Sequence, residues 1–202
     1  MVYVEASERS RRSVAAARAV MAREGVAATT LRAVAAEAGV PLGTLQYVFP
    51  TKEKLVRAVI EDVVEEIAAL LAESLPVEGG LARAIRDGVA LFWSTLVTPD
   101  VRLQIVQGEL LNHSLRKPGW EHLAAWQYER YCSVLAQWCE RAAQGAGETT
   151  AVPIDRLARL LLAGIDGMTL QYVCDPDDER AESDLAFFVE TVITAAGIRP
   201  AR

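Results

Sequence analysis

Apolar residues recur at helical spacing along almost the whole chain, and glycine or proline interrupts them at intervals of helix length. A first amphipathic segment closes at Gly25. Thr30 is a good N-cap for the next helix, whose apolar positions are Leu31, Val34, Ala35 and Ala38. Gly39 can take positive φ and end that helix, Val40 can pack beneath the turn, and Pro41 suits the start of a third, roughly Leu42 to Phe49. Pro50-Thr51 restarts the chain, and Thr51 caps a long helix carrying Ile60, Val63, Val64, Ile67, Leu70 and Leu71 to about Leu75. Later breaks fall at Pro76 with Gly79-Gly80, Thr98-Pro99-Asp100, Pro118-Gly119, Gly145 to Pro153 and Asp175 to Asp178. They predict five more helices, near 80–97, 100–116, 119–144, 154–174 and 181–197. No segment alternates with a period of two, and no internal repeat or low-complexity tract is present, so the pattern predicts an all-α fold.

Two short helices joined by a tight glycine turn can present the second to the base edges of DNA while the first crosses the backbone. The outward positions of the second, Leu42, Gly43, Thr44, Gln46 and Tyr47, are small, hydroxyl-bearing, amide-bearing or aromatic, which suits a major groove; Leu45, Val48 and Phe49 face inward. After Thr51, Lys52 sets a cation among free backbone N–H groups, the makings of a phosphate clamp.

At these residues the chain resembles the TetR family of transcriptional regulators. The likeness rests on Arg-Glu-Gly at 23–25, Thr-Thr-Leu-Arg at 29–32, Ala-Glu-Ala-Gly-Val at 36–40, Gly-Thr-Leu at 43–45 and Phe-Pro-Thr-Lys-Glu-Lys-Leu at 49–55. It covers about the first quarter of the chain. The resemblance implies an N-terminal three-helix helix-turn-helix domain, residues 1–55, and a larger helical ligand-binding and dimerisation domain, residues 56–202. It implies a homodimeric repressor released from a pseudo-palindromic double-stranded DNA operator by a small-molecule effector. The DNA-binding positions so implied are Thr30, Arg32, Pro41, Leu42, Gly43, Thr44, Gln46 and Tyr47, with Lys52 on a phosphate. Three departures stand out. Gln46 replaces the usual tyrosine, with Tyr47 beside it; Val48 replaces a common histidine or aromatic; and Ser13 takes a usually apolar place in the first helix, leaving it less firmly packed. Gln46 either reads an adenine edge or contacts a phosphate.

Charge adds to this picture. Of the net −6, residues 1–57 carry nine basic side chains against five acidic ones, while the remainder is strongly acidic. Affinity for nucleic acid follows the local basic face rather than the total. With 202 residues and 51% hydrophobic content, the chain can bury a core for one small and one larger domain. No long apolar run and no signal-type start are present, which predicts a cytoplasmic protein without a membrane partner. Cys132, Cys139 and Cys174 lack metal or redox spacing and read as buried free thiols; no cofactor is expected.

Residues 157–173 are apolar nearly all round, so that helix needs two surfaces to bury it. One can be the core and the other a second copy, with Gly164 and Gly167 allowing close approach. Leu161, Gly164, Met168, Leu185, Phe188 and Val192 are the expected dimer interface, and a two-fold dimer offers two recognition helices to one operator. A monomer packing that face internally is the alternative. Large aromatics and polar residues concentrate in the middle helices, and Trp93, Gln107, Asn112, His113, Trp126 and Tyr131 are candidate effector-binding residues. Asp166 joins them: alone among apolar residues, its carboxylate must be paired, hydrogen-bonded or protonated, and it suits a ligand's cationic or hydroxyl group or a contact across the dimer.

Two other classes remain open. Glu109 and His113, four apart on one helix, could share a metal with His122 in an all-α metal-binding protein or enzyme, although no phosphate-binding glycine loop or nucleophile elbow is present. An effector-independent DNA-binding protein is the other.

Overall fold

The computed structural model describes residues 2–74, 77–99 and 101–201. Leu75 and Pro76, expected at a helix end, Asp100, expected at a break, and the side chains of Leu70 and Leu71 lie outside the described residues. Those described form helices α1 (Val2–Glu24), α2 (Leu31–Glu37), α3 (Leu42–Val48), α4 (Lys52–Ser74), α5 (Leu81–Phe92), α6 (Val101–Arg116), α7 (Glu121–Gly145), α8 (Ile154–Cys174) and α9 (Asp178–Ala196). A π-helical turn, Trp93–Val97, extends α5, closed by Thr98 N–H donating to the Trp93 carbonyl at 3.1 Å.

Local chemistry explains the boundaries. Thr30, extended at φ −122°, accepts from Ala33 N–H at 3.1 Å and so caps α2. At the far end Gly39 takes φ +66°; its N–H reaches the Ala36 carbonyl at 3.1 Å, and Val40 N–H reaches that of Ala35 at 3.0 Å. This double closure satisfies two carbonyls the helix would leave open. Thr51 Oγ1 accepts from Lys54 N–H at 3.3 Å to start α4. The last helix starts three residues earlier than its apolar stripe predicts, because Asp177 accepts from Arg180 N–H at 3.0 Å.

One element was not predicted. Residues Glu148–Thr149 (β1) pair antiparallel with Arg199–Pro200 (β2), Glu148 opposite Pro200. The strands are two residues long, too short for alternation to register. The pairing places Glu148 so that its carboxylate accepts from Leu81 N–H at 2.8 Å, capping α5 where Gly80 has no side chain to do so.

The chain divides into two compact units: Met1–Glu66 with Ile105–Ala124, and Ile67–Gln104 with Ala125–Arg202. The first therefore extends beyond residue 55 and includes the later part of α6. Its core gathers Val20, Met21, Val34, Leu45, Leu55 and Val59; the second packs Leu81, Ile85, Trp138, Leu157, Leu161 and Val192. Ser13 is buried at 4% exposure beside a small cavity of about 20 Å³ lined by Val40, Leu45 and Val48. Among the cysteines only Cys139 is buried, its thiol pushed up to about 12 by that burial; Cys132 is half-buried and Cys174 exposed, so the expectation of three buried thiols fails for these two. Among the described residues no helix is long and apolar enough to cross a membrane.

Candidate nucleic-acid interface and effector residues

In the first unit, α2, the Gly39 turn and α3 form the helix-turn-helix. Leu45 and Phe49 anchor α3 inward, at 1% and 6% exposure. That fixes the opposite face outward: Pro41, Gly43, Gln46 and Tyr47 are exposed, and Leu42 and Thr44 are half-buried. Tyr47 is 90% exposed on that face. Arg32 is exposed on α2, while Thr30 is engaged as the α2 cap. The turn has a support that the sequence motif does not reveal: the Arg12 guanidinium donates to the Ala38 carbonyl at 3.4 Å.

Lys52 is half-buried, and its Nζ donates to the Ala27 carbonyl at 2.7 Å. Burial lowers its pKa, against the pull of neighbouring Glu53. This lysine thus ties α4 to the loop after α1. Lys117, just past the end of α6, pairs with Glu53 at 2.9 Å and lies 4.9 Å from the centre of the Trp120 ring, which meets His113 edge-on at 5.8 Å. Lys117 holds the exposed Glu53 carboxyl down at about 2. Burial first, then Lys117 and Lys52, lower the pKa of His113.

The candidate effector residues divide between the units. Gln107, Asn112 and His113 belong to the first; Trp93, Trp126, Tyr131 and Asp166 to the second. Asn112 is exposed and donates to the Gly108 carbonyl of its own helix at 2.9 Å. Trp93 is buried and meets Tyr172 edge-on at 5.4 Å. Tyr131 is buried, Trp126 half-buried and Asp166 exposed. Partial desolvation and the nearby Asp166 charge push the Tyr128 phenol up to about 12, and partial desolvation raises Asp166, although both residues keep solvent exposure.

Glu109 accepts from Val26 N–H at 2.7 Å, and His122 contacts Arg57 at 3.2 Å. Both side chains suggested as metal partners of His113 are engaged elsewhere, and among the described residues no three His, Cys, Asp or Glu side chains converge as a metal site.

The expected dimer residues are placed differently from their assignment. Leu161, Leu185 and Val192 are enclosed by their own chain, at 1%, 8% and 1% exposure. Gly164 does permit a close approach, but to Phe188 of the same chain: a Cβ there would collide with its ring. Met168 is half-buried. The uncovered apolar side chains of α8 and α9 are Leu160, Leu170 and Phe187, the last two 65% and 77% exposed. All-round apolarity in α8 left the choice of inner and outer face open, and the fold turns Leu161 in and Leu160 out.

Residues 14–59 match the model of bacterial regulatory proteins of the tetR family, and residues 102–194 match that of the BetI-type transcriptional repressor C-terminal domain. The chain is 28% identical over 195 residues to the nicotine-responsive transcriptional repressor HdnoR of Paenarthrobacter nicotinovorans, covering 95% of this chain and 97% of that one. Among solved structures, a transcriptional regulator from Rhodococcus sp. Rha1 superposes with a TM-score of 0.76 at 24% identity, over 95% of this chain and 99% of the other. The multidrug binding protein EbrR, complexed with imidazole, does so at 0.67 with 27% identity, over 96% and 93%.

Proposed function

Because the chain belongs to the TetR family of bacterial transcriptional regulators, and is a DNA-binding regulator controlled by small-molecule effectors, we propose that it works as a homodimeric repressor presenting two α3 helices to a pseudo-palindromic operator. The observation that carries this reading is the uncovered outer face of α3, with Gln46 and a 90% exposed Tyr47 on a helix anchored by Leu45 and Phe49. Gln46, Tyr47, Thr44 and Arg32 meet base edges or backbone. Pro41, Leu42 and Gly43 bring the start of α3 close to the groove. The first turn of α4, with Thr51 and Lys52, grips a phosphate.

Leu160, Leu170 and Phe187 support a dimer face on α8 and α9, displaced from Leu161, Leu185 and Val192 to their exposed neighbours. An effector held in the second unit acts along α4, α6 and α7, which run in sequence from one unit into the other. Glu109 on Val26 anchors α6 to the loop after α1, and Lys117, the residue following α6, pairs with Glu53 at the start of α4. A shift of α6 is thereby felt at α3. The effector must favour the released state, since equal affinity for both states shifts nothing. HdnoR is nicotine-responsive and EbrR is a multidrug binding protein, which supports a small organic effector here. The regulatory role stands in place of catalysis.

Footprinting over DNA upstream of the coding region tests this. The expected result is a protected pseudo-palindrome, with half-sites one helical turn or a multiple apart, that Tyr47→Ala erases. Protection of a single asymmetric half-site would contradict the dimeric mode.

A further inference from the structure

Within the second unit, a groove with a volume of about 900 Å³ runs between α5, with its π-helical extension, and α9. That is the size of a small-molecule site, about 300–1,000 Å³. Val89, Trp93, Leu185 and Val189, all buried, form its floor. On α9, Asp178, Glu182, Ala186 and Glu190 stand four residues apart and so make one row along the groove, about 18 Å long. Arg86 marks one end, donating to both carboxylate oxygens of Glu190 at 2.5 and 2.9 Å. At the other end Asp178 accepts from the Tyr172 hydroxyl at 2.7 Å, and Ser94 and Thr98, in and just after the π-helical turn, add hydroxyls. Such turns are rare and concentrate at functional sites.

Between those ends Glu182 has no hydrogen bond or ion pair among the described residues. Around the groove, Asp87, Asp178, Glu182 and Glu190 outnumber the single base Arg86, whose charge Glu190 already meets. These carboxylates are exposed and need no counter-ion. What they set is the sign of the potential over a concave apolar floor, whose low-dielectric walls concentrate it. An apolar floor under a negative rim is complementary to a cation with an apolar body. We propose that the groove binds a primary alkyl- or arylammonium ion, which donates its N–H groups to Glu182 and Asp178 and lays its apolar body over Val89, Ala186 and Val189. This inference rests on the effector reading above and gives that effector a seat and a charge. A neutral alcohol of the same shape keeps only the apolar contact, and a carboxylate of the same shape is repelled by the rim. A second copy of the chain does not cover the groove in the proposed dimer, because Phe187 lies roughly 140° around α9 from Glu182.

The test is calorimetric titration of the whole chain with hexylamine, 1-hexanol and hexanoate. Hexylamine is expected to bind at least about tenfold more tightly than either of the others. Glu182→Gln, at an exposed position, should bring hexylamine down to the level of 1-hexanol. Ala186→Phe, also at an exposed position, fills the groove and should abolish hexylamine binding with the melting curve retained. Three ligands that bind alike, or a preference that Glu182→Gln leaves unchanged, overturn the assignment. So does hexylamine binding that survives Ala186→Phe, which would place the ligand elsewhere. An Ala186→Phe protein with an altered oligomeric state by light scattering would make the groove a subunit contact and overturn it too. Should Ala186→Phe not fold, the ligand comparison and Glu182→Gln decide alone. DNA binding read in parallel by anisotropy separates the two levels. Selective DNA binding without amine preference removes this inference and leaves the regulator standing; amine preference without DNA selectivity does the reverse.

Discussion

The Val26 backbone N–H donates to the Glu109 carboxylate at 2.7 Å, so a side chain of α6 fastens the loop between α1 and α2. This one contact joins the start of the helix-turn-helix to a helix whose chain continues from the second unit. Glu109→Ala leaves that N–H without its charged acceptor and is expected to destabilise the protein by about 1–3 kcal/mol. It should also weaken the effect of ligand on DNA affinity while leaving ligand affinity unchanged. Thermal melting and a paired ligand and DNA titration check both; an unchanged ligand response would remove Glu109 from the transmission route.

Tyr47 and Lys52 should behave differently when replaced. Tyr47 is almost fully exposed, so Tyr47→Ala should leave stability within about 0.5 kcal/mol while lowering operator affinity. Lys52→Ala removes both the bond to the Ala27 carbonyl and a cation near phosphate, so it should lower the melting temperature and weaken all DNA alike, with a flatter salt dependence. Arg32→Ala should relax sequence preference with less change in the salt slope. Melting curves and anisotropy at two salt concentrations read all three; equal losses on specific and random DNA for Tyr47→Ala and Arg32→Ala would remove them from base reading.

The helix-turn-helix was legible because its determinants are local. Thr30, Gly39, Pro41 and Thr51 act within a few residues of themselves, and each does in the fold what its type and place predict. The contacts of Glu109 with Val26, Lys117 with Glu53 and Arg12 with Ala38 join residues far apart in sequence, and no pattern announces them. In the second unit a uniformly apolar α8 fixes neither its inner nor its outer face. The pairing of Gly164 with Phe188 inside one chain was therefore hidden, although the need for a small residue there was visible.

The proposed dimer face on α8 and α9 can be tested by mutation. Leu170→Glu with Phe187→Glu should yield a folded monomer by light scattering, because both side chains are exposed in the single chain. Leu161→Glu, at a position 1% exposed, should fail to fold because it buries a charge without a partner. Gly164→Ala drives a methyl group into the Phe188 ring and should cost about 1–3 kcal/mol through overpacking. A double mutant that remains dimeric would place the interface elsewhere.

Acid should weaken the contact of Lys117, just after α6, with Glu53 at the start of α4. The Glu53 carboxyl is lowered from 4.5 to about 2, chiefly by its hydrogen bond from Lys117. A depressed carboxyl contributes stability above its unfolded pKa, and that contribution fades as pH falls from about 4.5 to about 2. Both side chains remain solvent-accessible, so the effect is small and screened by salt. Glu53→Gln should reduce the acid dependence of the melting temperature within that window and leave the neutral range little changed. An identical acid profile in both proteins would show that the pair contributes nothing measurable.

The central claim is a DNA-binding regulator that reads sequence through α3. Its most direct measurement is titration of the purified protein against labelled DNA from immediately upstream of its coding region and against a random duplex, each at two salt concentrations. The account predicts tight, selective binding at one dimer per site, falling steeply with salt. Equally weak binding to both duplexes at both salt concentrations would contradict it.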